Sequence, residues 1–202
     1  MSPGPTFDRV YLALKEQLTS GRFAPGDHLE PATIGEELNA SITPVRDALH
    51  RLVGERIAEA PRNDGFRVPA PLEAELRELY GWSGQLLELA IRAAGFRSAA
   101  AALGKAGVAF TDSADFFRHI VRLTGNAEHE AAVENLNDRL AALRIAEGEI
   151  FQDLGEELMA IQTALGALDL AGVRRLLAAY HRRRQRCVPE ILATARRGAQ
   201  PR

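Results

Sequence analysis

Two short amphipathic helix signals, separated by a two-residue break, constrain this chain more than any other feature. Pro31 to Leu38 turns Ile34 and Leu38 inward, and Pro31 suits a first helical turn. Asn39-Ala40 breaks the pattern. Ser41 is then the expected N-cap of a helix running to about Glu55, with Pro44 in its first turn and Val45, Ala48, Leu49 and Leu52 on its inward face. Upstream, Phe7, Val10, Tyr11, Leu14 and Leu18 fall at helical spacing and predict a helix to Thr19, stopped by Gly21 and followed by a Pro25-Gly26 turn. Downstream, Ile57 to Ala60 and Phe66 to Val68 are strand candidates around Pro61-Arg62-Asn63-Asp64-Gly65, where Asp-Gly favours a primed hairpin turn. Three helices and a hairpin in this order describe a winged helix-turn-helix.

The pattern changes near residue 70. Val68-Pro69-Ala70-Pro71 suits an extended connector, and residues 73–198 read as helix after helix. Six are expected: Glu73 to Ala94, Ser98 to Lys105, Thr111 or Asp112 to Leu123, Asn126 to about Ala146, Glu149 to Leu168, and Leu170 to Arg197. Gly81 and Gly84 interrupt the first of these. The fold class expected is mainly α. A winged helix-turn-helix with a small β-hairpin wing occupies residues 1–69, and an all-helical bundle occupies residues 73–198.

The outward stripe of helix 41–55 carries Thr43, Arg46, Asp47 and His50, with Arg51 beside it. Thr43, Arg46 and His50 share a face at steps of three and four. Arginine can bond guanine bidentately, and threonine and histidine can reach bases or phosphates. Arg62 and Arg67 on the hairpin are placed to reach an adjacent groove. Charge argues mildly against nucleic acid: residues 1–70 hold eight Lys or Arg and ten Asp or Glu, a local net of −2, whereas phosphate neutralisation drives much of DNA affinity. A charged outer stripe is also what any solvated helix carries.

The residues themselves are familiar. Phe23-Ala24-Pro25-Gly26-Asp27-His28-Leu29, then Ser41-Ile42-Thr43-Pro44-Val45-Arg46-Asp47-Ala48-Leu49, then Gly65-Phe66-Arg67-Val68 resemble, in order and spacing, the GntR family of bacterial transcription regulators. The resemblance implies a winged helix that binds operator DNA as a homodimer, with an effector-binding, dimerising C-terminal domain and repression as the expected sense. It assigns DNA contact to Ser41, Thr43, Arg46, His50, Arg51, Arg62, Gly65 and Arg67. Phe116, Gly125-Asn126, Ile161, Ala164 and Asp169 fall where the helical FCD domain of the FadR-like branch has its landmarks.

Departures from that pattern are informative. Many members hold a metal with one Asp and three His. Phe117, Leu158 and Tyr180 stand at the three His-like positions here, and Ser113 at the Asp position. Phe and Leu cannot ligate a metal, so no metal and no cofactor are expected. Ala32 and Ile42 replace common DNA-contacting arginines, and Gly84 replaces an effector-facing one. Trp82, Phe117, His119, Arg122, Asn126, Leu158, Gln162, Tyr180 and His181 are the effector-pocket candidates, and with Phe116 they imply an effector less acidic than usual for the family, or none. His181 to Arg186 is either a solvated helix end or an aid to holding DNA or an acidic partner.

The chain has 202 residues, 46% of them hydrophobic and 26% charged, enough for one or two soluble domains. Its single cysteine, Cys187, excludes an internal disulfide framework. No apolar stretch approaches a membrane span and the first residues do not read as a secretion signal, so the cytoplasm is the expected compartment. Two other readings stay open: a regulator-like protein acting through protein contacts with weak DNA binding, and a small helical enzyme. Against the latter, no Gly-rich phosphate loop or supported nucleophile triad is visible, and the five histidines are scattered.

Overall fold

In the computed structural model, residues 5–93, 95–106, 110 and 112–197 are described. They divide into two compact units. One takes in the chain up to Pro71, Asp138–Ala146, and the chain from Leu192; the other takes in Leu72–Asn137 and Glu147–Ile191.

The first unit is built on α1 (Pro5–Thr19), α2 (Pro31–Glu37) and α3 (Ile42–Gly54). Val10, Tyr11, Leu14 and Leu18 of α1 pack with Ile34 of α2 and Val45, Ala48, Leu49 and Leu52 of α3 in one core. The faces expected from periodicity are the faces buried. The tight break between α2 and α3 depends on two residues. Asn39 takes a left-handed φ of 49°, which Asn tolerates better than most residues. Gly35 allows the Ala40 carbonyl to approach so closely that a Cβ there would stand 2.8 Å from its oxygen. Arg9 of α1 closes the corner by donating to the Leu38 carbonyl at 2.8 Å.

The wing differs from the expected hairpin. Its sheet is β1 (His28–Leu29) against β2 (Phe66–Arg67), antiparallel, with His28 opposite Arg67 and Leu29 opposite Phe66. The expected strand at Ile57 to Ala60 shrinks to one bridge, Glu59 to Arg67. The other edge of β2 belongs to β1 and the Pro25-Gly26-Asp27 turn. The Asp27 carboxylate accepts from Ala24 N–H at 2.7 Å. Gly26 N–H donates to the Val68 carbonyl at 3.0 Å, and Val68 N–H to the Asp27 carbonyl at 2.9 Å. β2 thus has β1 and that turn on one edge and Glu59, bonded through both backbone groups to Arg67, on the other. The loop is also not a two-residue primed turn. Positive φ falls on Asn63 (61°) and Gly65 (68°), not on Asp64. Ser41 occupies the N-cap position of α3, but its side chain makes no capping bond.

The second unit is all-helical: α4 (Glu73–Arg92), α5 (Phe96–Ala106), α6 (Ser113–Arg122), part of α7 (Ala127–Ile150), α8 (Leu154–Gly166), α9 (Leu170–Arg186) and the first turn of α10 (Val188–Arg197). Among the described residues seven helices therefore stand where six were expected, because the last one breaks at Cys187. Gly81 and Gly84 do not interrupt α4, which runs unbroken. Instead they let α9 close on it: a Cβ at Gly84 would lie 3.4 Å from the His181 ring. Asp112 caps α6 and Asn126 caps α7 through their side-chain oxygens. Thr111 lies outside the described residues.

The interior of this unit holds a sealed ion pair. Arg184 and Glu147, 1% and 2% exposed, meet at 2.7 Å. Tyr80 donates its hydroxyl to the other Glu147 oxygen at 2.6 Å. Arg184 also reaches Glu157 at 2.8 Å, and its guanidinium lies 3.2 Å from the Tyr180 ring centroid. The stretch His181 to Arg186 is thus not a uniformly solvated helix end. His181 and Arg184 are buried, and Arg183 is bound to Asp153 at 2.6 Å. No helix among the described residues is long and apolar enough to cross a membrane.

Candidate nucleic-acid interface

Packing of α3 on α1 and α2 leaves one edge of α3 outside. Thr43, Arg46, Asp47 and His50 are exposed on it, and Ser41 and Ile42 are exposed at its start. Between this edge and the wing lies a cleft of roughly 550 Å³. Arg46, His50, Asn63, Asp64 and Gly65 line it, together with His28 of β1. His50 rests edge-on against Phe66, with ring centroids 4.9 Å apart, so the base of β2 fixes its direction. His28 and Asn63 were not among the expected site residues. The placement of His28 follows from the β1–β2 pairing, a contact between distant residues that leaves no local sequence signal, whereas Asn63 belongs to the loop already marked by Pro61 and Gly65.

The two outer members of the expected set behave differently. Arg51 turns away from the edge: its guanidinium sits 3.9 Å from the Tyr11 ring centroid and binds Glu55 at 3.1 Å. Arg67 is held between Glu59 at 3.1 Å and Asp64 at 3.5 Å. Arg62 is exposed at the wing tip. Arg46 and Arg62 have no carboxylate partner among the described residues.

Some carboxylates of this unit are held in ion pairs or hydrogen bonds. Glu55 accepts from the Tyr11 hydroxyl at 2.8 Å and lies 3.6 Å from Lys15. Glu37 binds Arg22 at 2.7 Å. Asp138 binds Lys15 at 2.6 Å. Burial and the bond to Glu55 hold the Tyr11 phenol protonated beyond its usual range. Burial works against the Lys15 charge, but the hydrogen bond and charge of Asp138 outweigh it and raise its pKa. Net charge is a sum over the whole surface, whereas a ligand meets only the exposed edge, where Arg46 stands with Asp47 beside it and Glu30 lining the same cleft.

The expected effector residues separate into three places. Phe117, Leu158, Tyr180 and His181 are all interior. Phe117 meets Tyr180 at 5.2 Å and stacks on His181 at 5.8 Å. Tyr180 donates to the Ser113 hydroxyl at 3.1 Å, and the His181 ring nitrogens are engaged by the Leu177 carbonyl at 2.7 Å and the Ser83 hydroxyl at 3.1 Å. Gln162 and His119 belong to a second place at Phe110: Gln162 donates to its carbonyl at 2.7 Å and accepts from its N–H at 2.9 Å, and the His119 ring lies 4.9 Å from the Phe110 ring. Trp82, Arg122 and Asn126 are exposed. Trp82 therefore does not join Phe116 and Phe117 in an interior pocket; it lines an outer groove with Leu89 and Ala178. The residues at the family's ligand positions do not fit a metal, since phenyl, isobutyl and a hydrogen-bonded phenol stand where imidazoles would be needed. Among the described residues no group of three His, Cys, Asp or Glu converges to hold one.

Residues 6–68 match the family model for bacterial regulatory proteins of the gntR family. This segment is therefore similar to that family. The chain is similar to the HTH-type transcriptional repressor GlaR of Escherichia coli strain K12, 30% identical over 100 residues that make up 48% of this chain and 46% of that protein. It spans less than half the length of the curated relatives it matches. Its fold is that of E. coli McbR/YncC (TM-score 0.66, 23% identity, 93% of this chain and 98% of that one). It also matches the GntR protein of Rhodococcus sp. RHA1 (TM-score 0.72, 19% identity, 91% and 97%). The fold of the described residues is thus one already seen in solved structures.

Proposed function

We propose that this chain is a DNA-binding regulator of transcription, of the FadR-like branch of the GntR family, acting in the cytoplasm as a repressor. One observation carries the reading: inside the gntR-family domain, Thr43, Arg46 and His50 form an exposed edge of α3 beside a wing, with Arg46 uncompensated by any carboxylate among the described residues. A helix edge so equipped can enter a major groove, with Arg46 reading a guanine and Arg62 on the wing meeting phosphate. Ala32 and Ile42 offer no charge, so the sequence read differs from that of relatives with arginines there. Ser41, Gly65 and His28 line the approach. The similar proteins are named as regulators of transcription rather than enzymes.

Operator binding is proposed to occur as a homodimer and to respond to a small-molecule effector in the helical unit. The aromatic cluster of Phe117, Tyr180 and His181 supports an effector of low acidity. The test is operator selection from random duplexes, followed by anisotropy titration of the winning site. Arg46→Ala should weaken binding about 5- to 150-fold, the loss of one bidentate base contact, and flatten discrimination at one base pair. Equal binding by wild type and Arg46→Ala would remove the recognition-helix assignment. If no duplex is selected at all, the alternative of action through protein contacts gains.

A further inference from the structure

Ile42 stands at the first position of α3, 48% exposed and outside the core that α1, α2 and α3 share. Ile42, Arg46 and His50 recur at steps of four, so they form one row along the outward edge of the helix. The two ends of the row differ. Arg46 and His50 face the cleft beside the wing. Ile42 faces a second recess, of roughly 620 Å³, at the corner between α2 and α3. Ala32 and Ala40 line that recess with Ile42, and among the described residues its only charged lining residue is Glu36.

Chemistry narrows what Ile42 can meet. In the docking proposed above, the first residues of such a helix approach base edges. A phosphate is a poor partner: no lysine, arginine or histidine lines the recess among the described residues, and Glu36 repels an anion. Guanine, adenine and cytosine turn donors or acceptors toward the major groove, and a sec-butyl side chain set against one would leave that group desolvated and unpaired. Thymine alone adds a methyl group there. Isoleucine is branched at Cβ and keeps essentially one χ1 rotamer in a helix, so little freedom is lost on contact. Neighbours in one row stand about 5–6 Å apart, and successive base pairs rise about 3.4 Å. Ile42 and Arg46 therefore address base pairs one or two steps apart.

We infer that Ile42 selects a thymine by contact with its 5-methyl group, one or two base pairs from the guanine met by Arg46. This role rests on the DNA-binding reading proposed above and deepens it by naming a second base and the apolar contact that reads it.

The test is a uracil scan of the duplex obtained by operator selection with the full chain. Each thymine is replaced in turn by deoxyuridine, which removes the methyl and leaves the pairing edge intact, and binding is read by anisotropy. At a thymine one or two base pairs from the guanine whose discrimination Arg46→Ala flattens, uracil should weaken wild-type binding about four-fold, the worth of one buried methyl. Ile42→Ala, checked for native circular dichroism, should bind the thymine and uracil duplexes equally. Thr43→Ser, which removes the neighbouring methyl on the same edge, should keep the four-fold difference. Selection repeated with Ile42→Arg should exchange that thymine for guanine, the base arginine reads bidentately. A wild type indifferent to uracil at every position, or a uracil effect that survives Ile42→Ala undiminished, overturns the role of Ile42 and leaves operator binding standing. If the wild type selects no duplex, the DNA-binding reading itself falls, and the role of Ile42 with it.

Discussion

Replacing Arg184 by Met should be among the most damaging single changes in the chain. The new side chain fills similar length but leaves Glu147, 2% exposed, with only the Tyr80 hydroxyl at 2.6 Å. It also strips Glu157 of its 2.8 Å contact. Breaking one side of a sealed ion pair costs about 3–5 kcal/mol, because the remaining charge is stranded away from water. For a chain of this size that lowers Tm by about 6–20 °C. The converse matters more. Adding Glu147→Gln to Arg184→Met removes the stranded charge while keeping a group that Tyr80 can bond. The double variant should therefore be more stable than the sum of the single losses predicts, by roughly 1–3 kcal/mol of coupling. Urea unfolding followed by Trp82 emission reads the right unit, since α4 carries the probe. If Arg184→Met costs less than about 1 kcal/mol, or the two changes add, the guanidinium is not sealed as described and the reasoning fails.

Four further outcomes are expected. Gly35→Ala should destabilise the first unit by about 1–3 kcal/mol through the clash with the Ala40 carbonyl, read by thermal melting. Arg51→Ala should reduce stability by up to about 1 kcal/mol, through loss of the Tyr11 contact, yet leave the salt dependence of operator binding unchanged. Arg62→Ala should instead lower that salt slope by about 1 while keeping sequence preference. Hydrogen bonds from Arg183 hold the Asp153 carboxyl below the usual carboxylate range; the stabilisation is complete above the unfolded pKa and is lost as pH falls through the folded one. Acid titration of Asp153→Asn should therefore show a shallower loss of stability at the low end than wild type shows.

The helices of the first unit were legible because burial of one face is a local rule. Val45, Ala48, Leu49 and Leu52 announce their shared face at helical spacing, and the core uses that face. The wing was misread because its partner strand is far away in sequence. Asp-Gly favours a hairpin locally, and Glu59 does pair with Arg67, but the other edge of β2 is taken by β1 and the Pro25-Gly26-Asp27 turn, which makes two backbone bonds to Val68. Among candidate contacts, Thr43, Arg46 and His50 emerge on the surface as their periodicity required. The fate of Arg51 and Arg67 depended on which acids fold beside them, and one-dimensional spacing does not carry that information. In the helical unit the polar candidates looked alike in sequence. Gln162 proves to be a brace for Phe110, Asn126 a cap, and His181 an interior link to Ser83. Each role is set by a neighbour across the bundle.

One helix, α7, supplies Asp138–Ala146 to the first unit and its flanking turns to the second. Scission of the chain after Pro71 would therefore not yield a self-sufficient fragment. Lys15 would lose the nearer of its two acids, Asp138, and Gly21 the isoleucine methyl that sits where a Cβ would be. The two halves are woven from one thread, and a bait made only from the first seventy residues should come out less stable than the same stretch in the whole protein.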